Sequence, residues 1–86
     1  MKTVLITGAS HGIGNAIAEK LAAGGMRLFL NCRSSKETMY DYATRLSETY
    51  RIPCTPLIYD VSDHAQVQTM FEEIHACGES IDILIN

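Results

Sequence analysis

Thr7-Gly8-Ala9-Ser10-His11-Gly12-Ile13-Gly14 is the stretch of this sequence whose residue types and spacing suit the binding of an anion. Glycine can take φ > 0 or let the main chain come close to a ligand, and the first N–H groups of a helix have no partner within it. If a helix opens inside this stretch, its free donors and positive dipole end favour negative charge, and a pyrophosphate is the natural guest. The spacing is GxxxGxG, not GxGxxG, and glycines so placed can also form nothing more than a tight turn. The phosphate reading therefore requires a strand before the glycines, a helix after them and a βαβ frame around them.

Further along, Asn31-Cys32-Arg33-Ser34 closes a second apolar run. A guanidinium at that place can make a charge-assisted fork with a phosphate monoester, or simply stand solvated. Ser34 can cap a following helix, bind phosphate, or do both. Asp60 closes a third apolar run, where a carboxylate commonly serves as a strand-end cap. Other chemistry lacks its residues. Cys32, Cys54 and Cys77 make no CxxC pair or disulfide framework and read as reduced, mostly buried thiols. His11, His64 and His75 show no HExxH or Cys/His clustering, so no metal is expected. A Walker loop is excluded because no Gly-Lys-Ser/Thr is present.

The elements that must position these residues alternate. Val4, Leu5 and Ile6 predict a central strand over 2–7, apolar enough to be covered on both faces. Ile13, Ile17 and Leu21 keep a helical interval, and Gly24-Gly25 supplies a left-handed stop. A second strand over 26–31 follows. Ser34-x-x-Glu37 has the form of a capping box for a helix carrying Met39, Tyr42, Ala43, Leu46 and Tyr50, with Pro53 as its terminator. A third strand spans 55–59, and Pro56 assigns it to a sheet edge. Asp63 with Gln66 caps a third helix bearing Val67, Met70, Phe71 and Ile74 on one face, and Gly78 ends it. The Ile and Leu content of 81–86 predicts a buried fourth strand. Such β-α-β-α-β-α-β alternation gives a parallel sheet with right-handed crossovers, and the fold expected is α/β, a Rossmann-type doubly wound parallel sheet truncated to about four strands, placed in the order 3-2-1-4, and three helices. Ligands bind such sheets at the crevice between strands 1 and 4, where the connection reverses direction.

Thr-Gly-Ala-Ser-x-Gly-Ile-Gly over 7–14, Asp60-Val61, and Ile81-Asp82-Ile83-Leu84-Ile85-Asn86 occur in that order, and together they resemble the short-chain dehydrogenase/reductase family along the whole chain. Within the family the likeness is to its 3-oxoacyl-acyl-carrier-protein reductase branch. The resemblance implies cofactor contacts at Gly8, Ser10, His11, Gly12, Ile13, Gly14, Asn31, Arg33, Ser34, Asp60, Val61 and Asn86. Asp60 would then accept from the adenine amino group, and Asn86 would begin the family's Asn-Asn-Ala-Gly segment. NAD-preferring members usually hold an acid at the end of the second strand. Cys32 stands there with Arg33 after it, so the resemblance implies NADP rather than NAD. His11 occupies a place where many NADP-dependent members carry Arg or Lys, and its charge is weaker and pH-dependent.

In the family a Tyr-x-x-x-Lys pair with a Ser performs catalysis, the Tyr protonating the carbonyl oxygen as hydride arrives. Here Tyr40, Tyr42, Tyr50 and Tyr59 are followed four positions on by Thr44, Leu46, Cys54 and Asp63. The resemblance thus implies that 1–86 is the N-terminal part of a single Rossmann NAD(P)-binding domain with its catalytic half missing. The parent would be an NADP(H)-dependent carbonyl reductase or alcohol dehydrogenase, and the fragment, inactive alone, would meet no carbonyl or alcohol substrate. A non-catalytic dinucleotide-binding module is the alternative. A methyltransferase-like fold binding S-adenosylmethionine would want an acid where Cys32-Arg33 stands.

The chain's 86 residues, 47% hydrophobic and 20% charged, suit one modest globular core. No apolar run nears the ~20 residues of a membrane span, and the one after Met1-Lys2 stops at Thr7-Gly8, too short for a secretory core. A formal charge of −3 gives no basic footprint for nucleic acid. A cytoplasmic protein is expected. The fourth strand would have a neighbour on one side only and the third helix would lie alone on its sheet face, so self-association is expected too.

Overall fold

The computed structural model describes residues 1–9 and 12–86. Its elements are β1 (Thr3–Ile6), α1 (Gly12–Ala23), β2 (Arg27–Cys32), α2 (Lys36–Tyr50), β3 (Cys54–Ile58), α3 (His64–Ala76) and β4 (Ile83–Ile85). The strands form one parallel sheet in the expected order β3-β2-β1-β4. No helix of the described residues is long and apolar enough to cross a membrane.

Side chains alternate faces along a strand, and this sorts the apolar residues into two cores. Val4, Ile6, Leu28, Leu30 and Cys32 pack with Ala18 and Ala22 of α1 and with Met39, Ala43 and Leu46 of α2. Leu5, Phe29 and Leu57 point the other way, onto Met70 and Ile74 of α3. Two helices therefore cover one face of the sheet and one helix covers the other. β1 and β2 are sealed on both sides, which explains their unbroken apolar runs.

The β3 edge shows why Pro56 is tolerated. Tyr59 N–H donates to Cys32 O and Leu28 N–H to Pro53 O, both at 3.0 Å, so odd-numbered residues from 53 to 59 turn their main-chain groups towards β2. Pro56 belongs to the other set, on the open edge. Its missing N–H removes a donor from that edge and none from the sheet.

Helix ends follow the expected stops in two cases of three. After α1, Met26 N–H bonds Leu21 O and Gly25 N–H bonds Ala22 O, a Schellman pattern with Gly25 at φ 81°. Gly78, at φ 78°, ends the turn after α3. α2 differs. It stops at Arg51, a non-glycine residue at φ 55° and ψ 47°, before Pro53 acts. The capping box on Ser34 also does not form: Lys36 N–H bonds Ser34 O at 2.8 Å, the N-cap moves to Ser35, and Ser35 makes no side-chain cap bond.

Two burial expectations are corrected. β4 is not buried: with no strand beyond it among the described residues, Ile83 and Leu84 are 36% and 54% exposed. The thiols are not mostly buried either. Cys32 is, Cys54 is half-buried, and Cys77 is exposed at the end of α3. Burial pushes the Cys54 thiol up to about 12, so it carries no thiolate at neutral pH.

Candidate dinucleotide-binding site

Three chain segments leave the sheet side by side at its C-terminal end: the glycine loop after β1, Arg33-Ser34 after β2, and Tyr59 to Ser62 after β3. In the loop, Gly8 takes φ 63°, a conformation open to glycine, and a side chain there would meet nothing within 4 Å. Gly14 is needed for space instead. A Cβ on it would lie 2.6 Å from Gly8 O and 3.0 Å from Ala9 Cα, so only glycine lets α1 rest on the turn it springs from. Gly12 opens α1 at this point. Ser10 and His11 lie outside the described residues, as does the side chain of Ile13.

At the tip of β2 the side chains diverge. Cys32 turns into the core, so it does not occupy the place where an acid would face a ribose. Arg33 is the residue presented there, its side chain 79% exposed and its Nε 3.6 Å from Asp60 Oδ2. Ser34 is exposed, and its carbonyl, not its hydroxyl, engages the start of α2. Asn31 is 2% exposed. Its Nδ2 donates to the carbonyls of Leu57 and Tyr59 at 3.0 Å, and its own carbonyl accepts from Ala9 N–H at 3.0 Å.

Asp60 is fixed by its neighbours. Its Oδ1 accepts from Ser62 Oγ at 2.6 Å and Ser62 N–H at 2.9 Å, while its own N–H donates to Gln66 Oε1 at 2.8 Å. The Ser62 hydroxyl and N–H hold the Asp60 carboxyl below the usual carboxylate range, and Arg33 adds to the effect. Gln66 in turn bonds Asp63, the N-cap whose Oδ1 accepts from Ala65 N–H and Gln66 N–H. The expected α3 cap thus also anchors Asp60. On the α3 side, Val61 and Asn86 border one cleft of about 260 Å³, together with Thr7, Val67, Phe71 and Leu84. Thr7 Oγ1 donates to Asn86 Oδ1 at 3.1 Å, which ties the loop to the end of β4.

The arrangement offers glycine-lined main chain at a helix start, a forked cation and an anchored carboxylate, all at the end of a parallel sheet where ligands bind. A family model described as short chain dehydrogenase matches residues 2–86. The chain belongs to this family. Among its relatives in the short-chain dehydrogenase family is the L-xylulose reductase of Aspergillus niger, 39% identical over 95 residues that cover 99% of this chain and 32% of the relative. Another is the 3-oxoacyl-acyl-carrier-protein reductase of Escherichia coli, 36% identical over 85 residues, covering 99% and 33%. The crystal structure of L-sorbose reductase from Gluconobacter frateurii, complexed with NADPH and L-sorbose, matches with a TM-score of 0.91 and 32% identity, covering 99% of this chain and 32% of that one. The chain spans about a third of the length of the curated relatives it matches.

Sequence reasoning placed the glycines, Arg33, Asp60, Val61 and Asn86 at one end of one sheet, and there they are. It missed Ser62 and Gln66 as the groups that hold Asp60. The signal was present as Asp-x-Ser, a spacing at which a carboxylate folds back onto the second residue on.

Proposed function

We propose that residues 1–86 hold the adenosine and pyrophosphate of NADP(H) for a short-chain dehydrogenase that reduces a carbonyl or oxidises an alcohol. The observation that carries this reading is Arg33, a solvent-facing guanidinium at the tip of β2, next to a strand-end position whose side chain is buried. An arginine fork suits a 2′-phosphate, and no carboxylate on β2 stands ready for the two hydroxyls of an unphosphorylated ribose. The NADPH bound in the related L-sorbose reductase points the same way. The residues fit the group: the absent Cβ of Gly14, the φ of Gly8 and the start of α1 leave main chain for a pyrophosphate, and Asp60 offers a carboxylate to an adenine amino group.

When bound, the cofactor supplies or accepts a hydride. These residues bind and orient its adenosine and pyrophosphate. Proton transfer to a carbonyl oxygen falls to residues outside 1–86, since no tyrosine here has a lysine four positions on. That same absence favours a second reading, a dinucleotide-binding module without catalysis. The open β4 edge further favours self-association, and the chain's composition a cytoplasmic setting.

The test isolates the adenosine end. Adenosine 2′,5′-bisphosphate and 5′-AMP differ by the 2′-phosphate alone, and calorimetric titration should show tighter binding of the bisphosphate. Arg33→Ala should remove about 1.5–3 kcal/mol of that binding, the range for charged hydrogen bonds, and leave 5′-AMP nearly unchanged. An equal loss for both ligands would mean that Arg33 supports the fold and does not read the phosphate.

A further inference from the structure

We infer that Asn31 is a positioning residue of the adenosine end, one that sets Arg33 against Asp60 and thereby governs selectivity for a 2′-phosphate. The inference rests on the dinucleotide reading above and concerns the same site.

Asn31 is the penultimate residue of β2 and almost wholly buried. A hydrophobic side chain would serve packing there as well or better, so the amide answers a polar requirement. That requirement lies in β3. The Nδ2 group donates to Leu57 O and Tyr59 O at 3.0 Å each, and sits 3.4 Å from Cys32 O. It therefore bonds two successive β2-facing carbonyls of the neighbouring strand, at the point where both chains leave the sheet. Beyond the paired residues Cys32 and Ile58, the Tyr59 N–H to Cys32 O bond is the last main-chain link between the two tips. Asn31 doubles that link.

The next residues of the two chains are those the site uses. Asp60 follows Tyr59 directly, and Arg33 lies two residues after Asn31, with Nε 3.6 Å from Asp60 Oδ2. The Asp60 carboxylate is already immobilised by Ser62, so the spacing of the strand tips decides whether Arg33 finds it. An arginine this exposed otherwise samples many rotamers, and ordering it on phosphate binding weakens affinity. Paired through Nε, it makes no bond through its terminal nitrogens among the described residues, which leaves them to a phosphate. The main chain of Asn31 meanwhile accepts from Ala9 N–H in the glycine loop. One buried residue thus joins the three segments that converge on the adenosine.

The experiment compares wild type, Asn31→Leu and Asn31→Thr, each alone and combined with Arg33→Ala, with circular dichroism reporting the folded state. Calorimetry measures adenosine 2′,5′-bisphosphate and 5′-AMP. Preference for the bisphosphate should fall by roughly five- to tenfold in the Asn31 variants, while 5′-AMP affinity stays within about twofold. In the Arg33→Ala background the Asn31 substitutions should cost no further preference, because both act through the same guanidinium. Equal losses for the two ligands, an undiminished preference, a loss additive with Arg33→Ala, or failure of both variants to fold would each overturn the inference, leaving Asn31 a scaffold residue. A wild-type chain without preference for the bisphosphate overturns the dinucleotide reading itself, and this inference with it.

Discussion

Gly14 and Gly8 look alike in the sequence and are constrained by different physics. Gly8 needs its backbone angle and has open space where a side chain would go, whereas Gly14 has no positive φ, and a Cβ on it would lie 2.6 Å from Gly8 O. Gly14→Val should therefore push α1 off the loop. Overpacking of this kind costs about 1–3 kcal/mol, and with the helix start displaced the bisphosphate should bind at least roughly tenfold more weakly to a chain that circular dichroism still reports as folded. Unchanged titration of that variant would remove the glycine loop from the site. The loop was legible because glycine is rare and its spacing specific. Asn31 was legible as a place but not as a role: its partners are main-chain carbonyls 26 and 28 positions away, and no local pattern announces them.

At the scale of elements, α1 and α2 meet through a polar seam over their shared core. Tyr42 Oη donates to Asn15 O at 2.8 Å, the Arg45 guanidinium lies 5.1 Å from the Tyr42 ring centre, and Glu19 accepts from Arg45 and from Tyr50 Oη. The apolar stripes Met39/Leu46 and Ile17/Leu21 were readable from their helical interval. The seam was not, because it depends on the angle at which two helices cross. It carries a pH signature. Arg45 first, then Tyr50, hold the Glu19 carboxyl below its ordinary value of 4.5. With the folded-state value depressed, the contribution is fully present above about 4.5 and is lost as pH falls through the lower folded-state value. Thermal melts of wild type and Glu19→Gln should therefore differ at pH 7 and converge at the acid end. Parallel curves at all pH values would show that the solvent-exposed pair contributes nothing, as many surface pairs do.

For the whole molecule, alternation pointed to the parallel sheet, the order 3-2-1-4 came with the Rossmann-type reading, and Pro56 named the β3 edge correctly. The other edge was read from that order too, as a strand with a neighbour on one side only, although the Ile and Leu content of β4 is that of a buried strand. Phe71 at 43%, Leu84 at 54% and Ile83 at 36% exposure line that flank with Val61, beside α3, which lies alone on its sheet face. An unpaired parallel strand next to uncovered apolar side chains drives association. The purified 86-residue chain should accordingly show a sedimentation coefficient that rises with concentration. Phe71→Lys places a charge on the flank, at a side chain already 43% exposed. It should shift the chain towards monomer without lowering its melting temperature by more than a few degrees. A wild-type chain that sediments as a monomer at every concentration would show that the flank, though apolar, is too small or too curved to hold a second copy.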